Sequence, residues 1–392
     1  MYPRTRGRVA AAKPRRRIRY IHRMLISLSH LRRYAIARSL FKPTTLSRAI
    51  EKLGFVQADP IRAPARAQDL TLRHRVNGYR AGDLERLYPT LALEEDFFVN
   101  YGFLPRAHHA LMHPRKVKAR SPKRTRQTLE ILEFVRERGA VHPREVDAHF
   151  SHGRVTNWFG GSSNASTQLL DHMHYRGLLR VARRDGGTRV YVVPEAQLLE
   201  VPVAPDEAKA LGASRMDALV DLIVRKYAPL PSGSLANLVN RLQYGAPQWA
   251  KERRAALVRA KQRLPHARVE GIEWYWPGEE GPGSVRWQLD DQVRLLTPFD
   301  PVVWDRRRFE IFWNWVYRFE AYTPAPKRKL GYYALPLLWH ERVIGWGNLT
   351  VVDGRMSAEF GYTEGKAPRS LKFRAALDAE LERMLAFLKR GA

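Results

Sequence analysis

The chain has 392 residues, of which 44% are hydrophobic and 10% aromatic, enough apolar surface for several packed domains and too much for a wholly disordered chain. Its 68 lysines and arginines outnumber 39 acids for a net charge of +29, which points to a polyanionic partner. Cysteine is absent, which excludes disulfides, thiolate nucleophiles and cysteine-ligated zinc or iron–sulfur centres, and no apolar run approaches the ~18 residues of a membrane-spanning helix.

The first fifty residues carry fourteen Lys or Arg and no acid, yet the remaining 342 still carry +15. Residues 1–25 have no apolar core of a secretory signal and are expected to be a disordered basic arm that neutralises phosphates; the same composition suits a transit peptide or nuclear signal. From Ile26 to Val56 an amphipathic helix, a break at Lys42-Pro43 and a helix from about Thr45 to Leu53 before Gly54 predict a first helical unit over 26–120.

Residues 121–205 are the most legible. Thr128–Arg138 has helical periodicity ended by Gly139, and Pro143–Phe150 is a second short helix. Ser162-Ser163-Asn164 offers caps for a third, Ala165–Arg176, which Gly177 closes. Leu178 to Arg184, the turn Asp185-Gly186-Gly187, and Thr188 to Val193 then read as a hairpin. Three helices followed by a basic hairpin is the winged-helix layout, in which Arg183 and Arg184 of the wing are expected to touch phosphate.

Helices broken at Pro229–Gly233 and near Gly245-Ala246-Pro247, then a strand over Val269–Trp276, suggest a third such unit at 206–280. Beyond Gly281 short strand-like runs appear at Ser284–Leu289, Tyr332–Leu338 and Arg342–Val352, closed by a helix from about Arg369 to Lys389. The expected fold is therefore α+β: tandem winged-helix domains followed by a β-rich α+β C-terminal domain at 281–392.

Chemistry is suggested by Leu53-Gly54-Phe55-Val56-Gln57-Ala58-Asp59-Pro60-Ile61. In extended backbone Gln57 and Asp59 project to one side, where the carboxylate can serve as base or anionic stabiliser and the carboxamide can orient a water. Taken alone, an Asp before Pro equally marks a turn or helix start.

The run continues through Arg62-Ala63-Pro64-Ala65-Arg66-Ala67-Gln68-Asp69-Leu70, and the whole stretch resembles the winged-helix DNA glycosylases of the AlkZ/YcaQ type, whose signature here is Gln-x-Gln or Gln-x-Asp. Trp158-Phe159-Gly160, Gly177-Leu178-Leu179, Arg183-Arg184 and Val190-Tyr191 resemble that family's second winged helix. Leu296-Thr297-Pro298-Phe299-Asp300 through Trp304-Asp305-Arg306-Arg307-Arg308, with Tyr317 to Tyr322, Lys327-Arg328 and Gly331-Tyr332-Tyr333, resembles its last domain. The chain departs from the pattern at Ile344-Gly345-Trp346-Gly347-Asn348, and around Asn100 to Pro105, where a histidine is missing before Leu104-Pro105.

The resemblance implies a monofunctional glycosylase that cleaves the N-glycosidic bond of alkylated bases, some relatives unhooking interstrand crosslinks. Gln57 and Asp59 would carry catalysis with no cofactor or metal. A base that already bears positive charge leaves without a strong acid, so one carboxylate suffices. The expected partner is double-stranded DNA with alkylated or crosslinked bases, bound by a cytoplasmic monomer through Arg66, Arg183, Arg184, Arg306, Arg307, Lys327 and Arg328. The competing reading is a non-catalytic winged-helix binder, a transcription regulator or DNA-structure protein.

His109 and His113, four apart, and the close pair His172 and His174 read as surface or core histidines, neither pair having the adjacent Glu of an HExxH site. Phe309, Phe312, Trp313, Trp315, Tyr317 and Phe319 read as packed core before a base-stacking platform.

Overall fold

The computed structural model describes residues 25–115, 122–150, 153–156, 162–195, 205–352 and 355–389. The basic arm expected over 1–25 falls almost wholly outside the described residues, as does Trp158-Phe159-Gly160.

One topology recurs three times: a helix, a short strand, two helices, then a hairpin whose second strand pairs with the first strand. In the first unit a leading helix, α1 (Leu28–Ser39), is capped by the Ser27 hydroxyl, which accepts from the His30 amide. The repeat itself runs α2 (Leu46–Leu53), β1 (Val56–Gln57), α3 (Ala67–Leu72), α4 (Asp83–Leu87), β2 (Leu93–Phe97) and β3 (Tyr101–Pro105), with sheet order β1-β3-β2. A short helix, α5 (Arg106–Ala110), follows. Thr45 caps α2, and Gly54 ends it in the left-handed region at φ +68°, turning the chain into β1.

The second unit contains α6 (Pro122–Arg138), α7 (Pro143–Phe150), β4 (Arg154–Thr156), β5 (Ser162–Asn164), α8 (Ala165–Tyr175), β6 (Arg180–Asp185) and β7 (Thr188–Val192). Here the first strand is a single bridge, Val141 to Tyr191. Asn164 stands at the cap of α8 but makes no capping bond; its side-chain NH2 donates to Asp147. The third unit is α9 (Pro205–Tyr227), β8 (Leu230–Pro231), α10 (Ser232–Gly245), α11 (Arg253–Arg263), β9 (His266–Val269) and β10 (Ile272–Tyr275), in sheet order β8-β10-β9. The single strand expected over Val269–Trp276 is thus two, joined by a tight turn in which Glu270 and Gly271 both take positive φ, as such hairpins require.

The C-terminal part is an antiparallel sheet in sequence order: β11 (Val293–Leu295), β12 (Leu335–Trp339), β13 (Arg342–Val352) and β14 (Arg355–Tyr362). Between its first two strands lie α12 (Pro301–Trp304) and α13 (Arg306–Trp313), and α14 (Leu371–Leu388) closes the chain beside β11. The strand expected at Ser284–Leu289 is absent: the segment is a series of turns, with Val285 pointing into solvent and the Trp287 indole bonded back to Gly281. Phe309, Phe312 and Tyr317 are buried, with Trp313, Trp315 and Phe319 partly buried against them, as the core reading expected.

The units are packed into one another. A continuous apolar core runs from α2 and β3 through α6, α8 and β7 to β11, β12 and α14. A second joins α1, Phe55 and Phe98 to α9, α10 and β10. Strand β1 lies at the meeting of these cores, Val56 in the first and the preceding Phe55 in the second.

Candidate active site

Strand β1 is two residues long and pairs with β3, Val56 opposite Phe103 and Gln57 opposite Gly102. A Cβ at Gly102 would lie 2.2 Å from the Val56 carbonyl and 2.7 Å from the Phe55 ring, so only glycine lets the strands approach. Gln57 is buried, and its Oε1 accepts two hydrogen bonds: from Asn100 Nδ2 at 3.1 Å and from the Trp304 indole at 2.7 Å. Asn100 sits at the bend between β2 and β3; Trp304 is the last residue of α12, brought from far along the chain. Sequence reasoning marked Asn100 only as a departure and Trp304 only as part of a run, so neither was tied to Gln57.

Asp59 follows β1 and is half-buried. Its Oδ1 accepts from the Ile61 amide at 3.0 Å, and its own amide donates to Gln68 Oε1 at 3.2 Å. Burial pushes its carboxyl above the usual range, and the Ile61 bond opposes that shift only in part. Two tyrosines of the C-terminal part sense its charge: Tyr322 and Tyr333 are pushed up first by burial and then by Asp59. Tyr322 leaves 76% of its surface in solvent, its ring edge-on to Phe319. Asp59 and the exposed Tyr322 ring are therefore electrostatic neighbours.

The motif around Trp304 explains how it is delivered. Asp300 is fully buried, takes two bonds from Arg75 at 2.8 and 3.0 Å, and caps α12 through the Val302 amide at 3.0 Å. Arg308, also fully buried, donates to the carbonyls of Tyr227, Pro229, Pro301 and Val302, pinning α12 to the end of α9. The Trp304 ring lies 4.9 Å from that of Tyr227.

Several residues expected on DNA are committed elsewhere. Arg184 grips the buried Glu95 with two bonds of 2.8 and 2.6 Å and donates to the Gly187 carbonyl. Arg180 and Arg189 pair with Glu94, and with Asp171 and Glu95, respectively. One face of the expected wing, Arg184 included, is therefore clamped on the acids of β2. Arg183, one place along and on the opposite face, is exposed beside Asp185 at 3.0 Å. Arg306 donates to the carbonyls of Val303 and Pro298 and lies over the Tyr317 ring at 4.6 Å. Arg66 pairs with Glu85, and burial together with Arg62 and Arg184 lowers its pKa. Arg307 and Lys327 are exposed and make no ion pair among the described residues; Arg328 bonds the Thr323 carbonyl and lies over the Tyr332 ring.

His109 and His113 converge on Asp96, also of β2. Asp96 Oδ2 lies 3.1 Å from His109 Nε2 and 2.8 Å from His113 Nε2, while Oδ1 accepts from Arg115 and from the Phe97 amide, each at 2.7 Å. These are three metal-ligand groups at close quarters. A metal on Nε2 would require a proton on Nδ1 with an acceptor for it, yet His113 Nδ1 is buried without a partner. The donor set fits a buried carboxylate neutralised by Arg115 and bonded by the two imidazoles. Burial pulls the His113 pKa down to about 4; it pushes Asp96 up, but Arg115 and the histidine bonds override it. Arg115 also donates to Tyr175 and Gly245, joining all three units.

A family model described as DNA glycosylase AlkZ-like matches residues 50–387. Among solved structures, the Streptomyces sahachiroi DNA glycosylase AlkZ aligns with a TM-score of 0.57 at 14% identity, over 92% of this chain and 96% of that one.

Proposed function

Because the chain belongs to the AlkZ-like DNA glycosylase family, we propose that it hydrolyses the N-glycosidic bond of N7-alkylated purines in duplex DNA, interstrand-crosslinked ones included. The observation that carries this reading is Asp59, a half-buried carboxylate two residues past a fixed carboxamide and beside the exposed Tyr322.

An N7-alkylpurine is cationic, so the bond to its sugar breaks with both electrons leaving on the base, which departs neutral. What the protein must supply is a negative charge against the sugar cation and a route for water. Asp59 does both: its carboxylate faces the developing cation, then takes a proton from the water that adds to the anomeric carbon. Partial burial strengthens that interaction relative to open water. The threefold recurrence of helix, strand, two helices and hairpin supports reading the three units as tandem winged helices, monomeric on the duplex.

The test is single-turnover excision from a duplex containing N7-methylguanine, followed by alkaline cleavage at abasic sites. Asp59→Asn keeps an oxygen for the Ile61 amide, so folding and duplex affinity should hold while excision falls ~10²–10³-fold. The wild-type rate should fall on the acid side with a midpoint above the ~3.9 of an ordinary Asp, because burial raises this group. Equal rates in wild type and Asp59→Asn would remove Asp59 from the mechanism, and an inactive wild type would favour the non-catalytic binder.

A further inference from the structure

We infer that Trp304 and Asn100 are positioning residues that lock the Gln57 carboxamide with its oxygen inward, so that Gln57 meets the damaged nucleotide as a hydrogen-bond donor. This rests on the glycosylase reading above.

An indole nitrogen carries a hydrogen and no available lone pair, so it can only donate. The Gln57 atom 2.7 Å from it is therefore the amide oxygen. Turning the amide over would set an N–H group against the indole N–H, leaving both buried donors unpaired. With Gln57 fixed, Asn100 presents its own NH2 to the same oxygen, and the two donors reinforce one orientation.

The oxygen is thus occupied from the protein side. The amide nitrogen makes no hydrogen bond among the described residues, and Asp59 takes its bond from the Ile61 amide. The two outward N–H groups suit an acceptor atom of the nucleotide, such as a base carbonyl, the sugar ring oxygen or a phosphate oxygen. They cannot take a proton from water. The division of labour follows: Asp59 is the sole proton acceptor of the pair, and Gln57 holds the nucleotide against it.

Three variants test the polarity. Gln57→Glu keeps an oxygen for both inward bonds but presents an oxygen outward, so single-turnover excision of N7-methylguanine should slow by about tenfold or more. A Glu enzyme as fast as wild type would mean that Gln57 accepts, and would overturn the inference. Trp304→Phe removes the N–H while keeping a ring against Tyr227; it should slow excision without changing affinity for undamaged duplex. Its effect should vanish in a Gln57→Ala background, since both changes remove the same oriented donor. Full additivity would overturn the coupling.

A readout independent of activity is the Trp304 indole proton resonance in the free protein. It should move upfield in Gln57→Leu as its acceptor is lost, and an unmoved resonance would overturn the orientation. If the wild type excises nothing, the proposed function fails, while this resonance still decides the inference about Gln57.

Discussion

Arg184 and Arg183 are adjacent in sequence, alike in chemistry and opposite in predicted consequence. Glu95 is fully buried: its Oε1 accepts from Arg184 Nε at 2.8 Å, and its Oε2 accepts from Arg184 Nη2 at 2.6 Å and from Tyr101 Oη at 2.9 Å. Burial alone would raise the Glu95 carboxyl, yet the Arg184 bonds and charge hold it below the usual range. Arg184→Ala therefore strips Oε1 of its donor and leaves a buried anion with Tyr101 and a distant Arg189. Breaking such a pair from one side costs about 3–5 kcal/mol, and the surviving Tyr101 bond places this case near 3. Arg183 is 47% exposed beside an equally open Asp185, so Arg183→Ala should cost at most ~1 kcal/mol. Urea midpoints of the two variants, converted with a common slope, measure the difference. Arg184→Leu/Glu95→Leu should recover most of the loss, because no charge is left buried. If Arg184→Ala stayed within about 1 kcal/mol of wild type and instead weakened duplex binding, the wing would lie on phosphate and the clamp on β2 would be refuted.

Lys226 is buried with its ammonium on the Phe55 carbonyl, and burial first, then Arg75, pulls its pKa down to about 7. Between pH 7 and about 10.5 the unfolded chain binds more protons at this site, so stability should rise with pH across that window. In Lys226→Met the rise should flatten; parallel urea-midpoint curves from pH 7 to 10 would count against the shifted lysine. Duplex affinity should fall steeply with salt, and deletion of residues 1–20, which hold eight Lys or Arg, should reduce the slope of log affinity against log salt without changing which lesion is excised. Altered lesion preference in the truncated protein would show that the arm reads bases.

What was legible in the sequence is what local rules decide. The left-handed glycines that end α2 and α8, the Asp185-Gly186-Gly187 hairpin and the spans of α7 and α8 need only the neighbouring residues. Strand β2 was invisible because Leu93-Glu94-Glu95-Asp96-Phe97 has no apolar alternation; its acids are paired by Arg115 from the end of the same unit and by Arg180 and Arg184 from the second. Strand β1 is too short to show a period. In the C-terminal run the residues were noticed, but an arginine has the same formula whether it meets phosphate or carbonyl oxygen. Arg306 and Arg308 turn their terminal guanidinium nitrogens onto backbone carbonyls, and only the folded chain shows it.

Gln57 and Asp59 alone are a weak sequence signal for a physical reason. Gln57 and Asp59 lie two residues apart, but what makes them a site is contributed from outside their strand. Asn100 comes from a bend of the same unit, Trp304 and Tyr322 from the C-terminal part. The third unit fixes Trp304 through the carbonyls of Tyr227 and Pro229 that Arg308 holds, and the Arg75–Asp300 pair fixes the cap of the helix that bears it. The Arg75–Asp300 and Arg308 links are buried and carry charge, so they fail sharply when their register is wrong. The orientation of a single carboxamide is therefore a property of the assembled chain, and the long C-terminal run bears on it by holding one indole nitrogen against the Gln57 oxygen.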